Sequence, residues 1–144
     1  MVTKDYPRVG NLMSVDPVVI DAEAPITEAE QLLKSYRISG LPVVQDGGLV
    51  GVISQTDLLN ARSSELIGAN WERVRVRHLM SRPAVTVHLA TTVSRAARLM
   101  LDEHIHRVVV VDDDGSPAGV LTTSDLLQTI LREDDAEPTV DMMG

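Results

Sequence analysis

The sequence contains no cysteine and no phenylalanine, and its aromatic residues are Tyr6, Tyr36 and Trp71. The first absence excludes disulfides, thiolate nucleophiles and Cys-ligated zinc or iron–sulfur sites. The scarcity of aromatics leaves few platforms on which single-stranded bases could stack. Positive charge is also scarce: Lys and Arg number 13 against 21 Asp and Glu, a formal net charge of −8. That balance argues against nucleic-acid duplexes as partners, because such binding relies on Lys and Arg to neutralise phosphates. No run approaches the roughly 18 apolar residues of a membrane helix, and Met1 to Gly10 lack the apolar core of a secretory signal. A soluble, cytoplasmic protein with no membrane partner is the expectation. The rest is ordinary: 144 residues, 44% of them hydrophobic and 24% charged. A chain of this length suits one compact unit that buries roughly 68–70% of its unfolded surface.

The dominant feature is an internal repeat. Leu12–Ile20 (LMSVDPVVI) resembles Leu79–Val87 (LMSRPAVTV), 67 positions later. The register holds through Ala29/Ala96, Leu32/Leu99, Ile38/Ile105 and Val43-Val44/Val110-Val111. One extra residue near Ser116 moves it to 68, and Gly51–Leu59 (GVISQTDLL) then meets Gly119–Leu127 (GVLTTSDLL). Each copy has the same grammar. A short apolar strand, Val18–Ile20 or Val85–Val87, precedes a helix with apolar residues at three- and four-residue spacing. Ile26, Ala29, Leu32, Leu33 and Tyr36 mark the first helix. Val93, Ala96, Ala97, Met100 and Leu101 mark the second. Thr91 or Thr92 suits its N-cap, and Thr27 and Glu28 open the first. A strand, a Gly/Asp-rich turn and a second strand follow. A last helix begins near Ser54–Asp57 or Thr122–Asp125. Residues 8–62 and 78–132 are thus two β-α-β-β-α repeats of an α/β (α+β) fold, expected to pack about a pseudo-twofold axis. Residues 63–77 link them, with an Arg73/Arg75/Arg77 alternation that suits a strand or a solvated edge. Residues 133–144 read as a flexible acidic tail.

This ordered pair resembles a tandem of cystathionine β-synthase (CBS) domains, a Bateman module. The resemblance rests on the opening Leu-Met-Ser and the Ile-Ser-Gly-Leu-Pro-Val-Val run at 38–44. It rests equally on Ile-His-Arg-Val-Val-Val at 105–110 and on Gly-x-x-[Ser/Thr]-x-x-Asp twice. It implies two equivalent clefts between the copies, which in this family often take AMP, ADP, ATP, S-adenosylmethionine or NAD. It also implies a flat homodimer and a regulatory role. With no further domain in 144 residues, a stand-alone sensor acting on a separate, unknown protein partner is expected, with no cofactor required.

Within that resemblance Asp57 and Asp125 are the candidate ribose ligands, since a carboxylate can accept from both hydroxyls of a diol. Ser54, Thr56, Thr122 and Ser124 supply hydroxyls toward ribose or phosphate, at helix N-termini that favour anions. Gly51 and Gly119 offer close backbone approach. The plainer reading of Ser-x-x-Asp and Thr-x-x-Asp is a capping box, and one motif can do both. His106 and Arg107 fit a ligand phosphate; otherwise Arg107 forms a surface ion pair with Asp102 or Glu103. The first copy has Ser39-Gly40 there, with Arg37 and Lys34 on the helix, so the clefts are unequal. The cleft with Arg107 is expected to hold phosphate better. Val19, Ile20, Gly40, Thr86 and Val87 lie in the adenine vicinity that the family implies. His104 and His106 form an H-x-H without a third ligand, so no metal site is expected. His78 and His88 look incidental.

Enzyme chemistry has little support, with no G-x-S-x-G, Walker A or H-E-x-x-H pattern, and no catalytic residue is assigned. The acidic field tilts preference away from triphosphates. The rival to a sensor is a ligand-free structural dimerisation module, with Asp57 and Asp125 as caps and Leu58/Leu59 and Leu126/Leu127 as apolar faces.

Overall fold

The structure, a computed structural model, describes residues 8–12 and 18–136. Met13-Ser14 of the first Leu-Met-Ser and the tail beyond Ala136 lie outside the described residues. In the first copy β1 (Ile20–Asp21) leads to α1 (Ile26–Tyr36), β2 (Gly40–Gln45), β3 (Gly48–Ser54) and α2 (Gln55–Arg62). A connecting segment holds α3 (Glu65–Ala69), a 3-10 turn (Trp71–Arg73) and α4 (Val76–Leu79). The second copy is β4 (Thr86–His88), α5 (Val93–Glu103), β5 (Arg107–Val111), β6 (Pro117–Thr122) and α6 (Thr123–Ala136). The sheets have orders β1-β2-β3 and β4-β5-β6. In each, the first pair is parallel and the second antiparallel. Both antiparallel pairs carry a register shift at equivalent places, Val43/Val44 and Val110/Val111.

Local sequence accounts for these elements. In α1, Ile26, Ala29 and Leu33 are buried, at the three- and four-residue spacing of one helical face. Tyr36 and Leu101, expected on buried faces, are instead 58% and 68% exposed. Thr92 caps α5 by accepting from the Arg95 N–H at 3.3 Å, whereas Pro25 begins α1 without a side-chain cap. Both helices end on a left-handed residue, Arg37 (φ 54) and His104 (φ 56). The first hairpin turns on Asp46 (φ 52) and Gly47 (φ 82), two successive left-handed residues of a type I′ turn. In the second, Asp112 Oδ1 accepts from the N–H groups of Asp114 and Ser116.

The sequence boundary between the copies is not the packing boundary. Val9 is fully buried in the second copy's core, and Val76, 67 positions later, in the first copy's core. Backbone bonds repeat the exchange. Val9 and Gly10 donate to Thr91 and Leu89, while Val76 and Arg77 donate to Ala24 and Ala22. The Arg73/Arg75/Arg77 alternation is therefore not a strand. It runs from a 3-10 turn into α4, with the arginines exposed and Val74 and Val76 buried. Trp71 anchors the same segment: its Nε1–H donates to Glu30 Oε1 at 2.7 Å. Arg62 stacks 4.7 Å above its ring centre and donates to Glu30 Oε2 at 2.9 Å. Helix α6 reaches Ala136, into the stretch expected to fray.

Candidate functional site

Each copy turns from its last strand into its last helix through Gly-x-x-[Ser/Thr]-x-x-Asp. In the second copy the Thr122 N–H donates to Asp125 Oδ2 at 2.8 Å, and the Asp125 N–H donates to Thr122 Oγ1 at 3.1 Å. In the first, Ser54 and Asp57 exchange the same bonds at 2.9 and 3.2 Å. Both capping boxes are closed, as the plainer reading expected. Each uses one carboxylate oxygen. Oδ1 of both aspartates has no hydrogen-bond partner among the described residues.

A cavity of about 450 Å³ lies between the copies at the α6 end. The second copy contributes Gly119, Val120, Thr122, Ser124 and Asp125; the first contributes Tyr36, Arg37, Ile38, Ser39, Gly40 and Pro42. Leu12 and Val18 complete the lining. The cavity combines apolar walls, a partly free carboxylate, hydroxyls at the N-terminus of a helix and one arginine. That is suited to a flat apolar ring carrying a diol and an anionic group.

Gly40, Thr122, Ser124 and Asp125 are thus brought together as expected. Tyr36, Arg37, Val120 and Pro42 were not expected in the site. Arg37 is the left-handed residue on which α1 ends and belongs to the cavity lining. Its equivalence to His104 at the matching helix end was the available signal. Ile20 and Val87 are 2% and 9% exposed and pack into the two cores. Neither lines this cavity. Val19 is 37% exposed before β1, and Thr86 is exposed at the start of β4; neither lines this cavity. Glycine at 51 meets protein rather than ligand, since a Cβ there would lie 2.5 Å from the Ser81 carbonyl.

The equivalent Asp57 side is arranged differently. Arg107 is half-buried and donates through Nη1 to the Ser39 carbonyl at 2.8 Å, with Ser39 Oγ at 3.4 Å. It pairs with neither Asp102 nor Glu103. Burial pulls its guanidinium below the usual arginine value, and the Asp57 carboxylate acts in the opposite sense. The expected advantage of this cleft for phosphate is therefore not simple: its arginine is engaged, while Arg37 lines the open cavity. Thr56 and His106 are exposed near Asp57 and Arg107. No group of three or more metal-binding side chains occurs among the described residues. The other histidines have structural places: His88 Nε2 lies 2.6 Å from Asp113 Oδ1, and His78 Nδ1 accepts from the Arg75 N–H.

Comparison with known proteins bears on this geometry. The CBS domain family model matches residues 9–64 and 76–132. The CBS domain pair of protein MJ0100, solved with 5′-methylthioadenosine and S-adenosyl-L-methionine, is 27% identical with a TM-score of 0.77. The match covers 90% of this chain and 99% of that one. CBSX2, solved in complex with AMP, is 32% identical with a TM-score of 0.71, covering 89% and 98%. Inosine-5′-monophosphate dehydrogenase of Streptococcus pyogenes is 29% identical over 126 residues, 85% of this chain but 24% of the enzyme. The chain thus spans about a quarter of the length of that relative. Repeat, topology and family match agree: the chain belongs to the CBS domain family and is a tandem pair of its domains.

Proposed function

We propose that this CBS pair is a regulatory module that binds an adenosyl ligand in the cavity closed by Asp125. The observation that carries the reading is the cavity itself. Its volume of about 450 Å³ falls within the roughly 300–1,000 Å³ typical of small-molecule sites. Asp125 Oδ1 would accept from the ribose diol, with Oδ2 retained by the cap. The base would lie against Val18, Ile38, Pro42 and Val120. Arg37, whose guanidinium has no hydrogen-bond or ion-pair partner among the described residues while its backbone N–H closes the end of α1, would meet a phosphate or carboxylate. MJ0100 and CBSX2, crystallised with adenosyl compounds, support that ligand class. No catalytic role is assigned to any residue. Binding would favour one packing of the copies or one homodimer form, which a separate protein reads. No helix among the described residues is long and apolar enough to cross a membrane, and we place the module in the cytoplasm.

The closed capping boxes favour a second reading, a ligand-free structural dimerisation module. Melting temperature against AMP, ADP, ATP, NAD and S-adenosylmethionine separates the two. A ligand at 100 times its Kd adds about 2.7 kcal/mol, several degrees in a domain of this size. A rise with at least one ligand supports the sensor; no rise with any of the five supports the structural module.

A further inference from the structure

Positive charge is concentrated in one place. Residues 71–82 carry four of the chain's 13 lysines and arginines and a single carboxylate, Glu72, in a protein of net charge −8. Arg77 is paired with Glu23 at 2.6 Å. Arg73 and Arg75 are exposed and have no ion-pair partner among the described residues. Beside them the connecting segment folds into a groove of about 240 Å³. Leu66, Ile67, Val74 and Leu79 form its apolar wall, with Arg73 and His78 in the same lining. Val74, Ile67 and Leu79 back onto the first copy's core, but Leu66 is 76% exposed, the highest value for a large apolar side chain among the described residues. The groove is smaller than the roughly 300 Å³ at which small-molecule sites begin, so it suits one or two side chains rather than an adenosyl ligand. An apolar groove beside free cations fits a segment that combines apolar side chains with carboxylates.

The chain itself carries such a segment. Residues 133–144 hold Glu133, Asp134, Asp135, Glu137 and Asp141, no lysine or arginine, and the apolar Val140, Met142 and Met143. Residues 1–7, with one lysine and one aspartate, offer the arginines no net charge. Helix α6 ends at Ala136, just before Glu137-Pro138, where proline disfavours helix in the residue ahead of it. The eight residues that follow can span up to roughly 26–29 Å. Methionine, unbranched and polarisable, fills irregular apolar gaps well. Helix α6 packs on α5 and β6 of the second copy, whereas the groove lies against the first copy's core. We propose that the groove receives residues 137–144 of a second copy of this chain. Met142 enters beside Leu66, and Glu137 and Asp141 meet Arg73 and Arg75. Two chains can exchange tails reciprocally, each filling the other's groove, which gives a closed twofold dimer. The exchange involves no ligand and stands apart from the adenosyl reading.

The absence of cysteine makes the test direct. Leu66→Cys and Met142→Cys are placed in separate full-length chains of distinguishable mass, mixed without ligand and mildly oxidised. A disulfide between them then joins two copies by construction, and it forms only where the Cα atoms come within about 7 Å. Leu59→Cys serves as the reference, because Leu59 is 72% exposed and lies outside the groove. The 66–142 disulfide should form at least tenfold faster than the 59–142 disulfide. Arg73→Glu with Arg75→Glu in the Leu66→Cys chain should slow it at least threefold, as should about 0.5 M salt, which screens exposed charges. Positions 59, 66, 73 and 75 are all exposed, so these changes leave the cores untouched, and melting temperatures near that of the wild type check this. Equal rates at positions 66 and 59, or a 66–142 rate indifferent to the charge reversal, would overturn the proposal. So would a chain carrying both cysteines that closes the bond only within itself, which would make the tail an occupant of its own groove.

Discussion

Asp125 caps α6 with one carboxylate oxygen and, in the proposed reading, meets a ligand with the other, and substitution separates the two tasks. Oδ2 accepts the Thr122 N–H and closes the capping box, while Oδ1 is available to a ligand. Asp125→Ala removes both. Loss of a cap costs about 0.5–2 kcal/mol, so the variant should melt several degrees lower and show no stabilisation by adenosine. Asp125→Asn keeps one oxygen for the Thr122 N–H, and its melting temperature without ligand should stay near that of the wild type. The position of Oδ1 then holds an NH2, a donor where the diol needs an acceptor, so ligand stabilisation should still be lost. Differential scanning fluorimetry of both variants, with and without adenosine, checks this. If Asp125→Asn retained the full ligand shift, Asp125 would be a cap alone.

Among the elements, the segment joining the copies is held by Trp71 more than by its charges. Trp71 is 5% exposed, and Glu30 is the acceptor for its indole N–H. Glu30→Ala leaves that donor buried and unpaired, which costs about 1–3 kcal/mol. Arg62→Ala removes an ion pair whose side chains are 55% and 33% exposed and a stacked cation, together about 0.5–2 kcal/mol; Glu30→Ala loses that ion pair as well as the indole's acceptor. Urea denaturation followed by the emission of Trp71, the one tryptophan in the chain, should rank Glu30→Ala well below Arg62→Ala. The reverse order would mean that the ion pair, not the indole, fixes the segment. This stretch was also the hardest to read in advance. Alternating Arg and Val looks alike in a strand and in an exposed turn over a core, because both hide every second residue. The repeated elements were legible because their apolar spacing and turn residues occur twice in register. Arg37 was not, because its place in the lining depends on where α1 stops. Tyr36, the last helical residue, gives no local stop signal.

At the scale of the whole molecule, the copies are interleaved rather than merely apposed. Val9 and Val76 each complete the other copy's core. Val76→Ala removes part of a fully buried side chain whose burial is worth about 1.5–3 kcal/mol. The first copy's core should loosen, and the melting temperature should fall by several degrees. A fragment ending at residue 62 lacks Trp71, Val74 and Val76 of its own core. It should show little of the intact chain's circular dichroism alone and recover it when mixed with the remainder. A fragment that folds alone would show that the exchange adds little. The same interleaving places a cavity lined by both copies where a ligand can bias their packing. Isothermal titration calorimetry with AMP and S-adenosylmethionine on the wild type, Asp57→Asn and Asp125→Asn tests this account most directly. For at least one of the two ligands, it predicts binding to the wild type that persists in Asp57→Asn and is lost or severely weakened in Asp125→Asn. Binding lost in Asp57→Asn but kept in Asp125→Asn, or no binding of either compound to the wild type, would contradict it.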